Sequence, residues 1–194
     1  MLTTPTEGTK IMARVHRVES SRTPHQCKAG HVIEPPEGYT WAAPGFRSRK
    51  RFACARHPFR PSELTTSAVS SVLAAQEALS DAAESWETPD DVQAALDEFR
   101  DVVQEFYDER EQALDAWENG DGQLEELRDQ AQEALDAVEG VYLTEWPGEV
   151  DGVEIDAEDA KDSEDDNVMS AWAEFMDEIR EQVTSAADEA TGAL

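Results

Sequence analysis

Both cysteines of this 194-residue chain and two of its four histidines fall between Cys27 and His57, paired as Cys27-x3-His31 and Cys54-x2-His57. Thiolate and imidazole two or three residues apart can turn toward one ion, and two such pairs joined by a hairpin complete a tetrahedral Cys2His2 shell. The spacing therefore predicts a zinc site made by Cys27, His31, Cys54 and His57, with His25 as the substitute ligand if either histidine is not one. A disulfide between Cys27 and Cys54 is the competing reading. It requires an oxidising compartment, and no secretory signal precedes the pair.

Charge divides the chain around this feature. The total is −28, from 44 Asp and Glu against 16 Lys and Arg. Residues 1–62 nevertheless hold eleven Lys and Arg against four Glu, a net of +7, so the rest of the chain carries −35. Two segments of opposite sign have different surfaces and different partners. A surface this acidic repels itself in dilute buffer and tolerates molar salt, where the Debye length shrinks to roughly 3 Å. With only four lysines, the composition resembles that of proteins from salt-accumulating halophiles. An acidic interaction protein of an ordinary cell is the competing explanation.

In chain order, alternation from Ile11 to Val18 predicts a short strand, and Lys28-Ala29-Gly30 a tight knuckle that needs a positive φ at Gly30. Tyr39 to Ala42 and Arg49 to Cys54 read as the two strands of a hairpin that joins the ligand pairs. Beyond His57 the pattern is helical. Ser62 is the predicted N-cap of an alanine-rich helix over 68–83, and Thr88-Pro89-Asp90-Asp91 is a stronger helix start. Val92, Leu96, Phe99, Val103, Phe106, Arg110, Ala113 and Trp117 then repeat at alternating steps of four and three, an a/d seam broken only by Arg110. After Asn119 to Gly122 turns the chain, Leu124, Leu127, Ala131, Ala134, Leu135 and Val138 form the return stripe of an antiparallel helical hairpin.

Between Gly148 and Asn167 ten of twenty residues are acidic, which predicts a solvated, mobile loop; the glycine and ligand spacing of an EF-hand are missing. A last helix from about Asn167 carries Val168, Trp172, Phe175, Met176, Ile179 and Val183 on one face, with a frayed end. The expected class is α+β: a basic zinc-binding β module over 1–62, three acidic helices over 63–147, an acidic loop over 148–167 and a C-terminal helix over 168–194. No apolar run approaches the roughly 20 residues of a membrane span.

A strand with Ala13-Arg14, a knuckle, Glu37-Gly38-Tyr39-x-Trp41, a basic strand ending in Cys54, and Arg60 to Ser67 opening an Ala-rich helix resemble uncharacterised proteins of tailed viruses of bacteria and archaea. The hairpin-then-helix layout is similar to treble-clef zinc modules. Over residues 11–80 the resemblance implies a viral origin and a structural zinc, in the host cytoplasm or the virion, and no known activity.

Two uses of the chain compete. The acidic helices bind a protein partner or another copy, with Phe99, Val103 and Phe106 as the candidate contact residues. Alternatively the basic module contacts nucleic acid through Arg47, Arg49, Lys50, Arg51, Arg56 and Arg60, with Tyr39, Trp41 and Phe46 available for stacking. Molar salt opposes the second use, because phosphate contacts weaken steeply as salt rises. The sequence carries no P-loop, dinucleotide fingerprint, serine elbow or zinc-deaminase pattern, so neither an enzyme nor a small-molecule substrate is expected.

Overall fold

The computed structural model describes residues 12–45, 48–117 and 122–194, and it is an α+β protein: small antiparallel sheets followed by a mainly helical region. The chain divides into two compact units, Met1–Ala74 and Ala75–Leu194. The first unit takes in the turn after residue 62, whose Glu63 forms ion pairs with Lys28 and Arg51.

In the first unit, β1 (His16–Val18), β4 (Tyr39–Ala42) and β5 (Arg51–Ala53) form a three-stranded antiparallel sheet in the order β1-β4-β5. The register places His16, Trp41 and Phe52 in one cross-strand row. A second ladder pairs β2 (His25–Gln26) with β3 (Val32–Ile33). Strand pairing in the first segment is shorter than the alternation suggests: Met12 to Val15 lie outside the ladder, where the Ala13 N–H donates instead to the Leu64 carbonyl at 2.6 Å. Ile11, at the head of that pattern, and the N-terminal residues before it lie outside the described residues. Gly38 permits the turn back into β4, since a Cβ there would sit 2.8 Å from the Glu19 carbonyl oxygen. The core is thin, with Cys27, Ile33 and Cys54 buried and Tyr39 and Phe52 packed against them.

Past β5 a 3-10 turn spans Pro61–Leu64, and α1 (Val69–Ala82) follows. Ser62 is therefore no helix cap. It sits inside the 3-10 turn, and its carbonyl accepts from the Ser70 hydroxyl at 2.8 Å.

The second unit is built on α2 (Pro89–Asp115), α3 (Gly122–Glu139) and α5 (Asp166–Ala193). Thr88 caps α2 as its sequence predicts: its hydroxyl accepts from the Asp91 N–H, while the Asp91 carboxylate accepts from the Thr88 N–H at 2.9 Å. Arg100 of α2 donates to the carbonyls of Val138 and Val141 at the far end of α3, which makes the pair an antiparallel hairpin. The seam is buried at Val92, Leu96, Phe99, Val103 and Phe106, against a return stripe buried at Ala131, Ala134, Leu135 and Val138. Burial stops there. Arg110 lies over the Phe106 ring at 4.8 Å, and Trp117 is 60% exposed.

The acidic stretch is ordered, against the expectation of a loop over 148–167. β6 (Glu149–Val150) and β7 (Val153–Glu154) form a hairpin, and Asp156 caps the short α4 (Ala157–Lys161). Asp151 and Gly152 both take positive φ, as a two-residue Asp-Gly hairpin turn requires. Trp146 ties this segment down by donating its Nε1 proton to the Ile155 carbonyl at 2.9 Å. The C-terminal end of α5 is packed rather than frayed, with Ala187 and Ala190 fully buried. Among the described residues no helix is long and apolar enough to cross a membrane.

Candidate metal centre

The β2-β3 knuckle delivers the first ligand pair. The Cys27 N–H donates to the His31 carbonyl at 2.8 Å, and the Gly30 N–H donates back to the Cys27 carbonyl at 2.8 Å, closing a turn that Gly30 completes at φ 92°. Cys27 also bridges Phe52, and the Lys28 N–H donates to the Phe52 carbonyl at 2.7 Å. Those contacts dock the knuckle on the end of β5, next to Cys54. A second turn follows, in which the His57 N–H donates to the Cys54 carbonyl at 3.1 Å.

The result is that ligand atoms of Cys27, His31, Cys54 and His57 all lie within 4.8 Å of one another. Cys54 Sγ is 3.5 Å from His57 Nδ1, and the His31 and His57 rings are 5.0 Å apart. Tetrahedral bonds to zinc of about 2.0–2.3 Å imply ligand–ligand edges of about 3.3–3.8 Å, so this cluster is close enough to bind one metal ion. Both cysteines are buried free thiols, and the disulfide reading is not what the fold builds. Burial pushes the Cys27 thiol up, but hydrogen bonds from the Ala29 and Cys54 backbone and from the Cys54 side chain, with the Lys28 charge, outweigh it and hold the thiol below its ordinary value.

His25 stays apart from the cluster. Its ring stacks on Phe52 at 4.4 Å and leans on Tyr39 at 4.6 Å, so it serves the aromatic core and does not substitute as a ligand. His16 is likewise engaged, stacked on Trp41 at 4.1 Å.

The basic residues are only partly gathered. Arg49, Lys50, Arg51, Arg56 and Arg60 are exposed, while Arg47 and Phe46 lie outside the described residues. Arg51 pairs with Glu63 at 3.2 Å, and Lys50 sits over Trp41 at 4.1 Å, so two of the predicted phosphate contacts and one stacking ring already serve the unit itself. Lys28, Arg56 and Arg60 line a hollow of about 390 Å³ beside His57. Glu63 is the residue the sequence reading missed. It pairs with Lys28 and Arg51 and accepts from the Arg60 N–H at 2.9 Å, and its position three residues after Arg60 is the spacing of a capping box.

The predicted partner contacts are corrected. Phe99, Val103 and Phe106 are 2%, 0% and 4% exposed, inside the chain's own helical core, so none of them offers a surface to another molecule. Comparison of the chain with protein-family models, with curated proteins and with solved structures finds no match.

Proposed function

We propose that one zinc ion, held by Cys27, His31, Cys54 and His57, clips the first unit together, and that the chain is a viral structural or protein-interaction module adapted to high salt. The convergence of two thiols and two imidazoles within 4.8 Å carries this reading. Two soft thiolates with two imidazoles suit zinc, and four protein ligands leave no open position for a substrate or an activated water, so the role is structural and not enzymatic. The small size of the core at the site supports it too: around the ligands only Ile33, Tyr39 and Phe52 pack with Cys27 and Cys54, and so small a cluster gains from a metal staple. Cys54 and His57 precede a 3-10 turn and not the first turn of α1, which departs from the hairpin-then-helix layout of a treble clef. The second unit, which with the residues just before it carries −35, repels phosphate and favours a protein partner. Native mass spectrometry tests the metal: one zinc per chain is expected, and a folded chain that binds none after reconstitution sinks the reading.

The hollow beside His57 favours a second reading, in which Arg56 and Arg60 grip a nucleic-acid backbone while Lys28 is held by Glu63. On that reading, replacing Arg56 and Arg60 by Gln lowers the slope of log affinity against log salt by on the order of two. An unchanged slope rejects it.

A further inference from the structure

We propose that a cleft on the second unit, walled by Tyr142, Trp146 and Trp172, docks a basic segment of a protein partner and receives an Arg or Lys side chain against its aromatic faces. This rests on the protein-binding reading of that unit and names the partner's chemistry. The cleft measures about 1280 Å³ and is bounded by the start of α2, the segment after α3, α4 and Trp172 of α5. That volume is larger than most small-molecule pockets, at roughly 300–1,000 Å³, and suits an extended peptide.

Acidity alone would not single out this place, since acids cover the whole unit. The aromatic walls do. Tyr142 is 87% exposed, an uncovered ring at the rim. Trp146 is fixed by its bond to the Ile155 carbonyl and by edge contacts with Trp172 at 5.3 Å and Phe175 at 5.4 Å, so two of the three rings are held in place before anything binds. Aromatic faces attract ammonium and guanidinium groups.

The charges around them agree. Asp90, Glu139, Glu145, Glu158 and Asp162 line the cleft against only two bases. Both bases have partners: Arg100 donates to the carbonyls of Val138 and Val141 and to Asp97, and Lys161 faces Glu87 at 4.0 Å. The cleft therefore presents five carboxylates beside the rings, against two bases that already have partners. In molar salt simple charge attraction is screened over about 3 Å, whereas ring contacts made at close range persist.

The test is calorimetry on the full zinc-loaded chain in 1 M KCl as an order-of-magnitude match to high salt. The probe is a synthetic peptide of alternating Arg and Leu, with its Glu-for-Arg counterpart and free arginine alongside. The Arg peptide is expected to bind once per chain and the Glu peptide not at all. Tyr142→Ala is expected to weaken binding about fivefold or more, and Glu139→Gln with Glu145→Gln about threefold, while Glu109→Gln, away from the cleft on α2, changes nothing. An affinity indifferent to Tyr142→Ala, several peptides per chain, or free arginine binding as tightly as the peptide each overturns the proposal. Helicity and zinc content of every variant are measured in parallel. Lost binding of the wild type with both intact refutes the cleft and leaves the zinc clip standing.

Discussion

Around its ligands the first unit buries Cys27, Ile33 and Cys54 with Tyr39 and Phe52 leaning on them, it adds Ala42 and Ala53 of the sheet and Val72 and Leu73 of α1, and most of its strands are two or three residues long. The second buries five seam residues of α2, four of α3 and eight of α5 along helices of 18 to 28 residues. With the proposed zinc in place, one unit concentrates its stabilisation at a point where four side chains converge, and the other spreads it along a line. Stability located at a point is lost all at once when one ligand goes. Stability along a line is lost in proportion to the contacts removed.

Metal removal exposes the contrast most sharply. Chelation, or Cys54→Ser, is expected to abolish order over residues 27–60, because the binding free energy of a structural zinc, about 10–16 kcal/mol in small modules, is largely folding free energy. The helices of the second unit should keep their circular dichroism signal. Hydrogen exchange resolved by segment reads both at once, and protection that persists across residues 27–60 in the metal-free chain would refute the point-stabilised picture.

The reverse perturbation is smaller. Phe99, 2% exposed at the middle of the seam, loses transfer energy and leaves a cavity on Phe99→Ala, a cost of about 3–5 kcal/mol. Thermal unfolding of the helical signal should shift down while zinc stoichiometry is unchanged. A variant that also sheds zinc would show that the two units are not independent.

The ligands were legible because Cys and His occur nowhere after His57, and because Gly30 marks the knuckle that turns Cys27 toward His31. Thr88-Pro89-Asp90-Asp91 was legible for the same local reason: cap, ring-fixed φ and carboxylate all act within one turn. What failed depends on distant atoms. The run 148–167 reads as disorder by composition, yet Asp151-Gly152 between Val150 and Val153 is a hairpin signal, and Trp146 supplies the anchor that composition cannot report. Likewise the heptad pattern continues to Trp117, but periodicity names a face without saying how far its partner reaches, and the ring ends 60% exposed.

Salt should separate the units in a graded way. Residues 63–194 carry −35, and in dilute buffer their mutual repulsion acts against a core rich in alanine. Helicity is expected to fall below about 0.1 M salt and recover toward 1 M, where the Debye length drops from about 10 Å to about 3 Å. The first unit, eleven Lys and Arg against five Glu for a net of +6, should respond much less. A circular dichroism signal that is flat from dilute buffer to molar salt would count against adaptation to high salt.

The smallest effect lies at the start of α2. Asp91 is held below the usual carboxylate range, first by the Thr88 hydroxyl at 2.8 Å and then by the backbone N–H groups of Glu87 and Thr88 at 3.1 and 2.9 Å. A depressed folded-state value means the folded chain holds the ionised form more strongly than the unfolded chain. Its contribution is therefore full above the ordinary carboxylate range and is lost as pH falls through the lower folded value. Acid also relieves the repulsion among the other carboxylates, so the wild type alone gives a mixed answer. The informative quantity is the difference in melting temperature between wild type and Asp91→Asn at 1 M salt, where screening of about 3 Å suppresses the background. That difference should be positive and constant near neutrality, then shrink toward zero below pH of about 4. Widening of the gap on acidification would mean that Asp91 stabilises the helix as a neutral donor, and the ionised capping box would have to be abandoned.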